Sequence, residues 1–182
     1  MTFVITLDNF PQCRTLFLKK TSPNPSPLRT LKPARPLNIL LAEDERGVAF
    51  SILFALKADG HKIQIVRDGE EALAELTRKP GAFDLLITDH SMPRMKGVEL
   101  VKRLRDAVFP GKIVVLSAHL SAENRAAYLA LGVDMMIPKP FDVHLLRAAI
   151  RELGSGGATS ALLASEVYNL LRLGLPEEPE TP

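Results

Sequence analysis

Cysteine occurs once, at position 13, and tryptophan not at all. A single cysteine excludes an intrachain disulfide and any cysteine-based metal cluster, which fits a reducing compartment. No apolar run approaches the length that spans a bilayer. The opening "MTFVITLDNF" makes a poor signal peptide, because Asp8 interrupts it and no basic residue precedes it. A cytoplasmic location, away from membranes, is therefore the expectation. An excess of one charge is also lacking: the net charge is +2, and basic and acidic residues balance between positions 37 and 154. A nucleic-acid-binding domain would concentrate positive charge there.

What is present falls into three stretches. Residues 1–36 hold six of the 14 prolines and few acids, as in "TSPNPSPLRTLKPARP". Proline fixes its own backbone and pushes the preceding residue out of the helical region, so this reads as an extended, disordered basic segment. Its composition also suits an organelle transit peptide or a non-native extension. Residues 155–182 open on the spacer "GSGGATS" and close on the acidic "LPEEPETP". Between these, "ALLASEVYNLLRLG" sets Leu163, Val167, Leu170 and Leu171 on one helical stripe. Such a stripe packs on the parent domain, or serves dimerisation or a partner.

Residues 37–154 alternate short apolar runs with helical periodicity. "LNILLA", "HKIQIV", "DLLIT", "KIVVLS" and "DMMIP" read as strands, each followed by a helical segment. Gly60, Pro80-Gly81, Pro110-Gly111 and Gly132 end the first four helices; Ser121 with Asn124 and Asp142 cap the last two. Strands apolar on both sides and separated by helices predict an α/β fold, a five-stranded parallel sheet with helices on both faces. In such sheets chemistry gathers beyond the carboxyl ends of the strands.

Five polar residues stand at those ends. Glu43 and Asp44 leave the first strand, Asp89 closes the third, Ser117 the fourth and Lys139 the fifth. Each has a plain structural role: an acidic pair caps a helix, an Asp or Ser starts a turn, a Lys is solvated. Their joint occurrence predicts one pocket. Carboxylates at about 4 Å repel by about 4 kcal/mol at an effective dielectric near 20, a cost that a cation between them relieves. Glu43 and Asp44 suit Mg2+, with Glu45 left as a first-turn helix residue. Asp89 is a candidate nucleophile for an aspartyl-phosphate. Ser117 and Lys139 can serve its phosphoryl oxygens.

The pieces "ILLAEDE", "DLLITDHSMPRMKGVEL", "VVLSAH" and "MMIPKPFD" together make residues 37–153 resemble the receiver domain of response regulators in two-component signalling. The resemblance implies a flavodoxin-like (βα)5 doubly wound sheet with strand order 2-1-3-4-5. It implies Asp89 as phosphoacceptor, and Glu43, Asp44, Asp89 and the Ser91 backbone carbonyl as the Mg2+ sphere. Ser117 and Lys139 become the phosphate-sensing pair, and the Lys139–Pro140 bond is expected cis. The implied partner is a histidine kinase or histidine phosphotransfer protein, and output passes to a downstream protein through residues 121–150. Catalysis is limited to phosphotransfer to, and hydrolysis from, Asp89 itself. The 28 residues after Gly154 are too few for a DNA-binding module, so direct DNA binding is not expected.

Three positions depart from the family pattern. Met136 stands where an aromatic residue is usual, Lys96 where Asp is frequent before the motif glycine, and His90 where an apolar residue commonly follows the phosphoacceptor. Two other functions use related parts. A phosphohydrolase of the haloacid dehalogenase type needs a second Asp two residues after its nucleophile as acid and base, and Ser91 is there instead. A receiver fold used only for binding would be expected to have lost some of the five residues, and all are present.

Overall fold

A computed structural model describes residues 35–154. The proline-rich segment (apart from Arg35 and Pro36) and the expected spacer, amphipathic helix and acidic tail lie outside the described residues. The order is β1 (Asn38–Ala42), α1 (Arg46–Lys57), β2 (Lys62–Val66), α2 (Gly69–Arg78), β3 (Leu85–Asp89), α3 (Gly97–Asp106), β4 (Lys112–Ser117), α4 (Ala122–Ala130), β5 (Met135–Pro138) and α5 (Val143–Gly154). All strand pairs are parallel and the sheet order is β2-β1-β3-β4-β5. That is the expected doubly wound topology. Among the described residues no helix is long and apolar enough to cross a membrane.

The strands are apolar on both sides because both sides are covered. Successive residues of a strand point to opposite faces. Ile39 and Leu41 thus join Ile87, Val114 and Leu116 in a core closed by Ile52 and Leu56 of α1 and Leu146, Ile150 and Leu153 of α5. Leu40 and Ala42 join Leu86, Ile113 and Val115 in a second core, closed by α2, α3 and α4. The helix α4 is the least anchored: its one fully buried side chain is Tyr128, while Leu129 is exposed.

Local signals set the helix ends. Asp68, extended at φ −161°, accepts a hydrogen bond from the Glu71 amide at the start of α2, and Ser121 accepts from the Asn124 amide at 3.1 Å. The Asp142 carboxylate accepts from the His144 amide. Each satisfies an amide that a helix start leaves unpaired. The start of α1 differs from expectation. Glu45 is its extended N-cap residue rather than a member of its first turn, and it makes no side-chain capping bond. The Glu45 carboxylate is therefore not held as a cap, and the Glu45 amide donates to Glu43 Oε1 at 3.4 Å.

The base of the domain contains a buried histidine. The Leu37 amide donates to His61 Nδ1 at 3.1 Å, so the neutral ring carries its proton on Nε2, which finds no hydrogen-bond partner among the described residues. Burial lowers the His61 pKa below its ordinary value; the Asp59 carboxylate opposes this and Arg151 adds to it. A base depressed by folding binds more protons when unfolded, so stability is lost as pH falls from about 6.5 toward the folded value. The slope is at most about 1.4 kcal/mol per pH unit for each such histidine. Urea titrations at pH 7 and pH 5 should show the loss, and His61→Gln should reduce it. An unchanged pH slope in that variant would refute this account.

Candidate functional site

The carboxyl ends of β1, β3, β4 and β5 bring the five predicted residues to one end of the sheet. Glu43, Asp44 and Asp89 each offer a carboxylate oxygen, and these oxygens lie within 4.8 Å of one another. Glu43 and Asp89 are buried, at 2% and 5% exposure, whereas Asp44 is open to solvent. Lys139 reaches across from the end of β5. Its Nζ donates to Glu43 Oε1 at 3.0 Å and Oε2 at 2.8 Å, and lies 2.9 Å from Asp89 Oδ1. One ammonium thus faces two buried carboxylates, Glu43 and Asp89.

Burial pushes the Glu43 pKa above its ordinary value, and the hydrogen bond and charge of Lys139 oppose that rise. Burial also disfavours the Lys139 ammonium, but its hydrogen bonds to Glu43 and Asp89 outweigh the loss and hold its pKa above normal. Lys139 stays charged at neutral pH.

Backbone geometry fixes the rest of the pocket. The Lys139–Pro140 peptide bond is cis, as expected, and the Lys139 amide donates to the Ser117 carbonyl at 2.6 Å. The Ser117 hydroxyl is buried and donates to the His119 carbonyl at 2.9 Å, turned along its own loop. The Ser91 amide donates to Asp89 Oδ2 at 3.0 Å.

The loop from β3 to α3 is tied down on both sides. Arg94, in the left-handed region at φ 62°, pairs with the buried Asp68 and donates to Glu71 at 3.0 Å, fastening the loop to the start of α2. At the far end Gly97 is required by space. A Cβ there would stand 2.4 Å from the Asp89 carbonyl oxygen and 2.9 Å from the Tyr128 hydroxyl.

One contact was not anticipated from the sequence. His90, next to Asp89, is 8% exposed, and its Nδ1 lies 2.9 Å from the fully buried Tyr128 hydroxyl. The two rings meet edge to face. Burial lowers the His90 pKa despite the opposing charge of Asp89, so the ring is neutral at pH 7, with one donor and one acceptor nitrogen. The sequence showed His90 as a departure from a family pattern but carried no sign of its partner, 38 residues away.

The donor set is one of hard oxygen ligands, two of them buried, close enough to share an ion, which fits Mg2+.

The family model for the response regulator receiver domain matches residues 39–151. Response regulator MprA of Mycobacterium leprae is 37% identical over 118 residues, 64% of this chain and 50% of that protein. Response regulator MprA of Mycobacterium avium is 36% identical over a stretch of the same length, with the same coverage. The chain spans about half the length of these curated relatives. Among solved structures, the receiver domain of Francisella response regulator 1452 aligns with a TM-score of 0.60 at 29% identity, covering 65% of this chain and 97% of that one. Chemotaxis response regulator CheY4 of Vibrio cholerae aligns with a TM-score of 0.59 at 27% identity, covering 65% and 98%. The family match runs from the second residue of β1 into the last turn of α5 and takes in the acidic pocket with the sheet that builds it: this chain belongs to the response regulator receiver domain family of two-component signalling.

Proposed function

We propose that the chain accepts a phosphoryl group on Asp89 from a phosphohistidine of a histidine kinase or phosphotransfer protein, with Mg2+, and passes the signal on by protein contacts. The observation that carries this reading is the placement of Lys139, whose ammonium touches both Glu43 and Asp89 at the mouth of a three-carboxylate pocket. In the transfer an Asp89 carboxylate oxygen attacks phosphorus and forms the new O–P bond. The P–N bond breaks, its electron pair stays on that ring nitrogen, and because the donor ring carries a proton on its other nitrogen it leaves as neutral imidazole.

Glu43, Asp44, Asp89 and the Ser91 carbonyl would hold Mg2+, which supplies positive charge to the transferring oxygens. Lys139 is within reach of Asp89 and neutralises a phosphoryl oxygen there by a charge-assisted hydrogen bond. Ser117 must first give up its bond to His119 before its hydroxyl can turn to the phosphate. The donor docks over the exposed Phe50 and Phe54 of α1, since Phe50 lines the same surface pocket as Glu43 and Asp44 and exposed apolar groups beside a reactive mouth suit protein contact. The face carrying residues 121–150 is left for the output partner.

Intact mass after incubation with acetyl phosphate tests the reading. Gain of one phosphoryl group with Mg2+ and none with EDTA is expected; no gain under either condition refutes it. Asp44 supplies a further test. Asp44→Asn removes one negative charge from the cluster, so it should melt slightly higher than wild type in EDTA. It should also lose most of the stabilisation that Mg2+ gives wild type, which follows RT ln(1 + [L]/Kd). An Mg2+ response equal to that of wild type removes Asp44 from the metal site.

A further inference from the structure

The segment between the phosphoacceptor and the Ser91 metal carbonyl is a single residue, His90, and every polar group of that residue is held. Its amide donates to the Leu116 carbonyl of β4 at 2.8 Å, and its carbonyl accepts from the Gly97 amide of α3 at 3.0 Å. Its Nδ1 meets the Tyr128 hydroxyl of α4 at 2.9 Å, and its Nε2 lies 3.4 Å from Asn124 Nδ2, also in α4. The first two bonds are between main-chain groups and join His90 to β4 and to the start of α3. The last two are made by side chains and join His90 to the helix with the fewest buried residues. Tyr128 is the one fully buried side chain of α4.

The geometry leaves little slack. A methyl group placed at Gly97 would meet the Asp89 carbonyl oxygen, the Tyr128 hydroxyl and His90 Cα at 2.4, 2.9 and 3.1 Å. The Tyr128 hydroxyl and the main chain of Asp89 and His90 thus border the same space beside Gly97, which only a residue without a side chain leaves open. A shift of α4 that displaces the Tyr128 ring changes its contact with His90, the neighbour of Asp89.

We propose that Tyr128 is a positioning residue for Asp89: its hydroxyl, bonded to His90, couples the placement of α4 to the reactivity of the phosphoacceptor in both directions. This rests on the reading of Asp89 as phosphoacceptor. Coupling between two sites is reciprocal, so a partner that grips α4 alters the rate at which Asp89 gains phosphate, and phosphate on Asp89 alters the freedom of α4. Elements with little buried surface open most readily, which makes α4 the part that responds. Met136, at the position the family usually gives to an aromatic residue, packs in the same core cluster as Tyr128, so the aromatic group that feels the site is supplied by α4 rather than by β5.

The test is a cycle of four full-length chains: wild type, Tyr128→Phe, His90→Phe and the double variant. Tyr128→Phe keeps the buried ring and removes only the hydroxyl. It should slow Mg2+-dependent phosphorylation by acetyl phosphate about threefold to tenfold, the factor that one hydrogen bond of ordinary net strength represents. In the His90→Phe background the same change should alter the rate less than twofold. Amide hydrogen exchange across residues 122–130 is the second readout. Beryllofluoride with Mg2+ should change it in wild type, and the change should be lost in both single variants. A wild-type rate and exchange response in Tyr128→Phe, or an equal effect of the hydroxyl with and without His90, overturns the proposal. If wild type itself gains no phosphate, the phosphoacceptor reading falls and the coupling falls with it; phosphorylated wild type with an uncoupled Tyr128 removes the coupling alone.

Discussion

Asp89→Asn is expected to take up no phosphate from acetyl phosphate under conditions in which the wild-type chain gains one group. The substitution keeps the shape of the side chain and replaces a nucleophilic carboxylate with an amide. Two other carboxylates stand nearby, and the structure says why neither should substitute. Both oxygens of Glu43 accept from Lys139, and Asp44 is exposed, beyond the buried end of β3 where Asp89 meets the ammonium. The adduct on wild type should be cleaved by hydroxylamine, as an acyl phosphate is. A hydroxylamine-labile phosphate on the Asn variant would move the acceptor to another residue. The variant should remain folded, because Lys139 keeps its partner in Glu43.

Lys139→Met carries the second large effect, and it should appear without any phosphate donor. Removing the ammonium leaves Glu43 and Asp89 buried and facing one another with no counter-charge. Breaking a buried ion pair from one side costs about 3 kcal/mol or more, which for a domain of this size lowers the melting temperature by about 10 °C. Two additions should restore it. Mg2+ brings positive charge to the same carboxylates, so it should stabilise the variant more than wild type. Mild acid should do the same. In the variant the carboxyl pKa values rise above their unfolded values, so the folded state binds more protons and stability recovers as pH falls toward the ordinary carboxyl range. Thermal melts in EDTA, in Mg2+ and across pH 4 to 8 measure all three. If the variant melts like wild type in EDTA, Lys139 is not what relieves the cluster.

Much of this protein could be read from its residues in order. The strands announce themselves as short runs such as "NILLA" and "DLLIT" because a sheet covered on both sides needs apolar residues on both. Ser121 and Asp142 mark helix starts because a short polar side chain can bond an amide two or three residues ahead. Both signals act within a few residues, so contiguous sequence contains them. The strand-end set of Glu43, Asp44, Asp89, Ser117 and Lys139 was also legible, since parallel connections bring the strands' carboxyl ends to one end of the sheet whatever the side chains do.

The tertiary structure decided what those side chains touch. Lys139 sits on Glu43 across 96 residues of chain, the Ser117 hydroxyl turns to its own loop rather than to Asp89, and the Ser91 amide donates to Asp89 Oδ2. Arg94 reaches Asp68 and Glu71 from the next loop, and His90 finds Tyr128. Glu45, expected in the first turn of α1, stands one residue outside it. Composition and periodicity determined which faces are buried and where the strands end. The partner of each buried polar group depends instead on rotamers chosen when helices and sheet close together, with every unpaired donor or acceptor costing about 1–3 kcal/mol. That choice is made in three dimensions, and no local pattern in the chain records it.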